Sequence, residues 1–101
     1  MNSIEIVIRG VGNNVEAIID VKNFKIVING KEKNISKSNI DELIRIIRTW
    51  KSDYGTGGNN IDDENFYVKI NLDNGFDVIK GSGNYPENYL IFKEWLWEFY
   101  G

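Results

Sequence analysis

The sequence predicts an α+β fold: a mainly antiparallel sheet of four to five strands with two helices on one face, in the order βββ(β)αββα. Three observations carry that reading. Short segments alternate apolar and polar residues, most clearly 3–9 and 66–72. Turn signals such as Asn29-Gly30 and Asp73-Asn74-Gly75 join neighbouring segments tightly, which favours hairpins. Two longer stretches, 40–50 and 87–100, change to helical spacing. Hairpins followed by amphipathic helices pack most simply as one sheet with helices on a single side.

In chain order, Ser3 to Arg9 places Ile4, Ile6 and Ile8 on one side and Glu5, Val7 and Arg9 on the other, the pattern of a half-buried strand. Gly10 to Asn14 is turn chemistry, and 15–21 is the second strand, closed by Lys22-Asn23. Phe24, Ile26 and Ile28 share a face on the third. After Asn29-Gly30, Lys31 to Ile35 returns as a short edge strand whose lysines discourage pairing with another chain.

Ser36 or Ser38 then caps the first helix, with Asp41 three residues after Ser38 in a capping-box position. Ile40, Leu43, Ile44, Ile47 and Trp50 form its apolar stripe, and Asp41 and Arg45 make an i,i+4 pair. Residues 52–65, with three glycines and a cluster of acids, read as a mobile loop. The strand 66–72 turns at Asp73-Asn74-Gly75 and pairs back through 76–80. The outward face of this sheet carries Glu5, Arg9, Tyr67, Lys69 and Asn71, which suits solvent or a polar partner.

The terminal helix holds the most information. Pro86 suits a first helical position, and Ser82 or Asn84 is an upstream cap. At about 100° per residue, Tyr89, Phe92, Leu96 and Phe99 face the core while Glu87, Glu94 and Glu98 form the opposite stripe. Ile91 and Trp95 occupy one flank, Leu90 and Trp97 the other. An apolar surface this wide either packs beneath loops and strand ends of the same chain or meets a partner.

At 101 residues with 42% hydrophobic content, the chain is one globular domain, 1–101. It contains neither cysteine nor histidine, which removes disulfide frameworks, the usual zinc sites, thiolate nucleophiles and imidazole bases. No basic n-region, long apolar run or cofactor motif is visible, so a cytoplasmic protein with no membrane contact and no cofactor is expected. Abundant isoleucine, asparagine and lysine with a single proline suggest an AT-rich source such as a low-GC bacterium or its phage.

The net charge of −3 is unevenly spread. Residues 1–51 hold nine Lys/Arg against six Asp/Glu, and 52–101 hold three against nine. Lysines 22, 25, 31, 33 and 37 gather around the third strand, but the acidic total and the lack of an aromatic-basic signature argue against direct nucleic-acid binding. Gly81-Ser82-Gly83-Asn84 lies between a strand and a helix, where backbone N–H groups can hold a small anion, yet it lacks the wider phosphate-binding fingerprints. Asp62, Asp63 and Glu64 have oxygen ligands for a hard cation without the spacing of a calcium loop.

These exclusions leave a non-enzymatic protein-binding module. The expected docking residues are Glu87, Leu90, Ile91, Glu94, Trp95, Trp97 and Glu98 on the terminal helix, with Asp53, Asp62, Asp63 and Glu64 from the loop. Carboxylates speed encounter with a basic protein, and a few desolvated aromatics supply affinity. Small acidic inhibitors of nucleic-acid-handling proteins, of the immunity-protein or anti-CRISPR type, use this combination. The competing expectations are a homodimer formed through the helix flanks, and a small anionic ligand held at Gly81–Asn84.

Overall fold

The computed structural model describes residues 1–10, 13–57 and 64–100. Its elements are β1 (Ser3–Gly10), β2 (Asn13–Asp20), β3 (Lys25–Ile28), β4 (Lys31–Asn34), α1 (Lys37–Ile47), β5 (Asp53–Thr56), β6 (Asn65–Leu72), β7 (Gly75–Ser82) and α2 (Tyr89–Tyr100). The class is α+β, as the alternation predicts. Among the described residues the strands form one seven-stranded sheet, ordered β4-β3-β2-β1-β6-β7-β5, antiparallel except where β5 joins β7 in parallel.

Seven strands exceed the four to five expected: the optional edge strand forms as β4, and β5, absent from the expected order, comes from the segment expected to be a mobile loop. Asp53-Tyr54-Gly55-Thr56 is too short and too glycine-rich to show alternation, and β7 holds it in place: Lys80 N–H donates to Ser52 and Gly57 N–H to Ser82. Residues 58–63 lie outside the described residues. β1 is the organising strand, paired along nearly its whole length with β2 on one side and β6 on the other. Ile4, Ile6 and Ile8 face the helices together with Val15, Ala17, Ile19, Phe66 and Val68, and all are buried. Each Ile, Val or Phe side chain among them contributes about 1.5–3 kcal/mol by leaving water, and Ala17 less.

The turns follow local chemistry. Asn29 and Gly30 both have positive φ, 48° and 82°, giving the hairpin expected between β3 and β4. Between β2 and β3, the Asp20 carboxylate accepts from the backbone of Lys22 and Asn23 and from the Asn23 amide. The Asn23 hydrogen bonds hold its pKa below the ordinary carboxylate value. Phe24 belongs to this turn instead of the β3 core face: it is exposed, with φ of 54°.

Ser36 caps α1. Its hydroxyl accepts from Asn39 N–H at 3.0 Å, and the Asn39 side chain accepts from Ser36 N–H. The box therefore sits two residues before the Ser38–Asp41 position. Asp41 pairs with Lys37 rather than Arg45, and Ile46 is buried where Ile44 is only half-buried. The second helix begins at Tyr89, after a turn in which Tyr89 N–H donates to the Pro86 carbonyl.

Gly81 is required by packing. A Cβ there would lie 2.5 Å from the Phe66 ring and 2.7 Å from the Asn84 carbonyl oxygen. The described residues form a slab with extents of 40 × 30 × 19 Å, helices on one broad face and bare sheet on the other. No helix among the described residues is long and apolar enough to cross a membrane.

Candidate protein-docking site

Three side chains fix α2 against the rest of the protein. Asn88, just before the helix, accepts from the Trp50 indole at 2.6 Å and donates to the Ile46 carbonyl at 3.0 Å. Seven residues later, the Trp95 indole donates to the Asn39 carbonyl at 3.0 Å. The two helices therefore run antiparallel, with the start of α2 beside the end of α1. Tyr89, Phe92, Trp95, Leu96 and Phe99 point inward, and Phe92 meets Trp50 edge-to-face.

Pinning that face leaves a defined outer ridge. Glu87, Leu90, Ile91, Glu94, Trp97 and Glu98 recur at spacings of three and four, and every one is exposed. Leu90 is 60% exposed, Ile91 54% and Trp97 42%. None of the three glutamates is ion-paired among the described residues. The structure thus brings together six of the sequence-predicted docking residues.

Trp95 does not belong with them. It is 2% exposed, enclosed between α1 and Phe99, so the Ile91–Trp95 flank is divided: Ile91 faces out and Trp95 faces in. Glu64 is also withdrawn from the surface. Its carboxylate accepts from Lys93 at 2.6 Å and from the Tyr89 hydroxyl at 2.9 Å, in a pair whose side chains are only 16–17% exposed. Burial, reinforced by the Glu64 carboxylate, pushes the Tyr89 phenol far above its ordinary pKa. Lys93 also lies 5.7 Å from the Trp97 ring centre, which steadies the indole at the edge of the ridge.

Asp53 is exposed, but it sits on β5 opposite Lys80, and its carboxylate accepts from Gly55 N–H at 2.7 Å. Asp62 and Asp63 fall outside the described residues. In the Gly81–Asn84 segment, Gly83 N–H is committed to the Glu64 carbonyl, and the Asn84 amide donates to Tyr54.

Two features escaped the sequence reading. Asn88 carries no periodic or motif signal, since its role depends on a tryptophan 38 residues away. The bare sheet face, expected to suit solvent or a polar partner, also carries Ile18, Val27 and Phe76 beside the expected Val7 and Tyr67. Their alternation was visible, but only the strand register shows that several adjoin. No protein-family model matches this chain, and no curated protein or solved structure is significantly similar to it.

Proposed function

We propose that this chain is a small, acidic, non-enzymatic binding module that docks the outer ridge of α2 on a basic surface of another protein and blocks it stoichiometrically. The observation that supports the reading is the ridge itself: Leu90, Ile91 and Trp97 are left in water on a helix whose inner face is fully used, beside Glu87, Glu94 and Glu98, none of them ion-paired among the described residues. Exposed apolar side chains of this size grouped on one helical face mark an interaction site. The carboxylates accelerate encounter with a cationic target, and Trp97 has the size and polarity of an interface anchor. A nuclease or other nucleic-acid-handling enzyme of the cytoplasm presents a surface of that kind, which makes inhibition of the immunity or anti-defence type the fitting activity.

A photo-cross-linking amino acid at position 90, introduced in the native host, identifies the protein seated on the ridge. The purified pair is then titrated. The expected result is a 1:1 complex that inhibits its target, weakens with added salt and loses at least about tenfold in affinity in both Trp97→Ala and Glu94→Lys. A captured protein with an acidic contact surface, or binding indifferent to both substitutions, rejects the reading.

A further inference from the structure

Among the described residues the face of the sheet opposite the helices has no covering layer, and its middle is apolar. Ile18 on β2 lies directly opposite Val27 on β3, and Val7 on β1 lies opposite Tyr67 on β6. Val7 pairs with Glu16 and is therefore the diagonal neighbour of Ile18, so the four side chains form one patch across four adjacent strands. Val7, Ile18 and Val27 line a common shallow depression, and Ile18 is 51% exposed. Both helices are committed to the other face, so nothing among the described residues reaches this patch.

We propose that this open face pairs two copies of the chain back to back, giving four layers ordered helix, sheet, sheet, helix. Charge selects the occupant. Around the patch, Glu5 lies opposite Lys69, Asp20 opposite Lys25, and Glu16 is ion-paired with Arg9 at 2.7 Å. Glu32 on β4 and the Asp53–Lys80 pair across β5 and β7 leave the face with five acids against four bases, close to balance, although the chain as a whole carries −3. A two-fold interface places a surface against itself, so it tolerates a balanced face and penalises a one-signed one. The α2 ridge presents three glutamates, and Lys93 at its edge is already paired with Glu64, so it is the wrong surface for a second copy. The sheet face fits one.

Area points the same way. Strands about 4.8 Å apart, rising about 3.4 Å per residue, give this sheet a flat footprint of roughly 700 Å². A stable interface buries about 800 Å² per partner, and a side-chain-covered surface exceeds its flat footprint. Sheets that stack in this way sit about 10 Å apart, a spacing that Ile, Val and Tyr side chains fill. Pairing here leaves both α2 ridges pointing outward, so the inference rests on a different surface from the proposed docking site.

The test is sedimentation velocity of the full chain from about 1 μM to 1 mM, with far-UV circular dichroism on every variant. The expected result is a monomer–dimer equilibrium whose dissociation constant rises at least about tenfold in Ile18→Lys and in Val27→Lys, both exposed positions whose spectra stay unchanged. Glu16→Lys, which adds like charge to both copies beside Val7, weakens the dimer without removing an apolar side chain. Trp97→Ala leaves it intact. A chain that remains monomeric to 1 mM, whether this face is bare or covered by a different protein, overturns the proposal. So does a dimer that Trp97→Ala disrupts and Ile18→Lys does not.

Discussion

The Trp50 indole N–H donates to the side-chain oxygen of Asn88 at 2.6 Å, and the Asn88 amide in turn donates to the Ile46 carbonyl at 3.0 Å. One asparagine thus satisfies a buried indole and a carbonyl in the last turn of α1, where the helix has no further N–H to offer. The same residue sets where α2 begins. Asn88→Ala leaves both groups unpaired in a part-buried position, and unfolding in urea is expected to show a loss of about 2–3 kcal/mol. Asn88→Asp keeps the acceptor and lacks the amide donor, so it recovers only part of that loss.

The two tryptophans of α2 separate by burial. Trp95→Ala empties an enclosed site and removes the donor to Asn39, with an expected cost of about 3–5 kcal/mol. Trp97→Ala is expected to change stability by no more than about 0.5–1 kcal/mol, since its ring is nearly half in water and contacts Lys93. Thermal or urea melts of the pair decide the matter. Equal costs would mean that Trp97 serves the fold and is no free anchor.

Tyr89 makes alkaline stability informative. Its ordinary pKa is 10.0, and burial with the Glu64 carboxylate raises it in the folded state. Above pH 10 the unfolded chain releases this proton while the folded chain retains it, so the folded state binds more protons and stability falls as pH rises. The contribution is complete below pH 10. Tyr89→Phe has no proton to lose there, and the difference between wild type and variant in urea midpoint should narrow as pH climbs from 9 to 11. A difference that stays constant across that range would show that Tyr89 ionises as readily folded as unfolded.

Phe24 holds a left-handed backbone, φ 54°, in the β2–β3 turn with its ring exposed. That conformation costs a bulky residue about 1–2 kcal/mol and costs asparagine less. Phe24→Asn is therefore expected to raise stability by about 0.5–1 kcal/mol, read as a higher melting temperature. A lower melting temperature would show that the ring packs usefully on its neighbours.

Much of this fold is legible in the sequence because its long elements are governed by local rules. Alternation in β1 and β6, the Asn29-Gly30 turn and the apolar stripe of α1 each describe their own surroundings. The failures lie where one residue's state depends on a distant one. Strand β5 exists because β7 offers an edge. Glu64 reads as one more loop acid until Lys93 and Tyr89 close on it. The flank shared by Ile91 and Trp95 divides because α1 covers one and not the other, and a helical wheel contains no second helix.

Strand β1 takes β2 from its immediate neighbourhood and β6 from more than 50 residues further on. During synthesis the β4-β3-β2-β1 meander and α1 emerge well before that second neighbour. Until β6 arrives, an isoleucine-rich strand presents an open row of amides and carbonyls, the form in which chains adhere to one another. Closing that gap spans a long loop, so it sets the pace of folding and marks the nascent protein's interval of greatest exposure to aggregation.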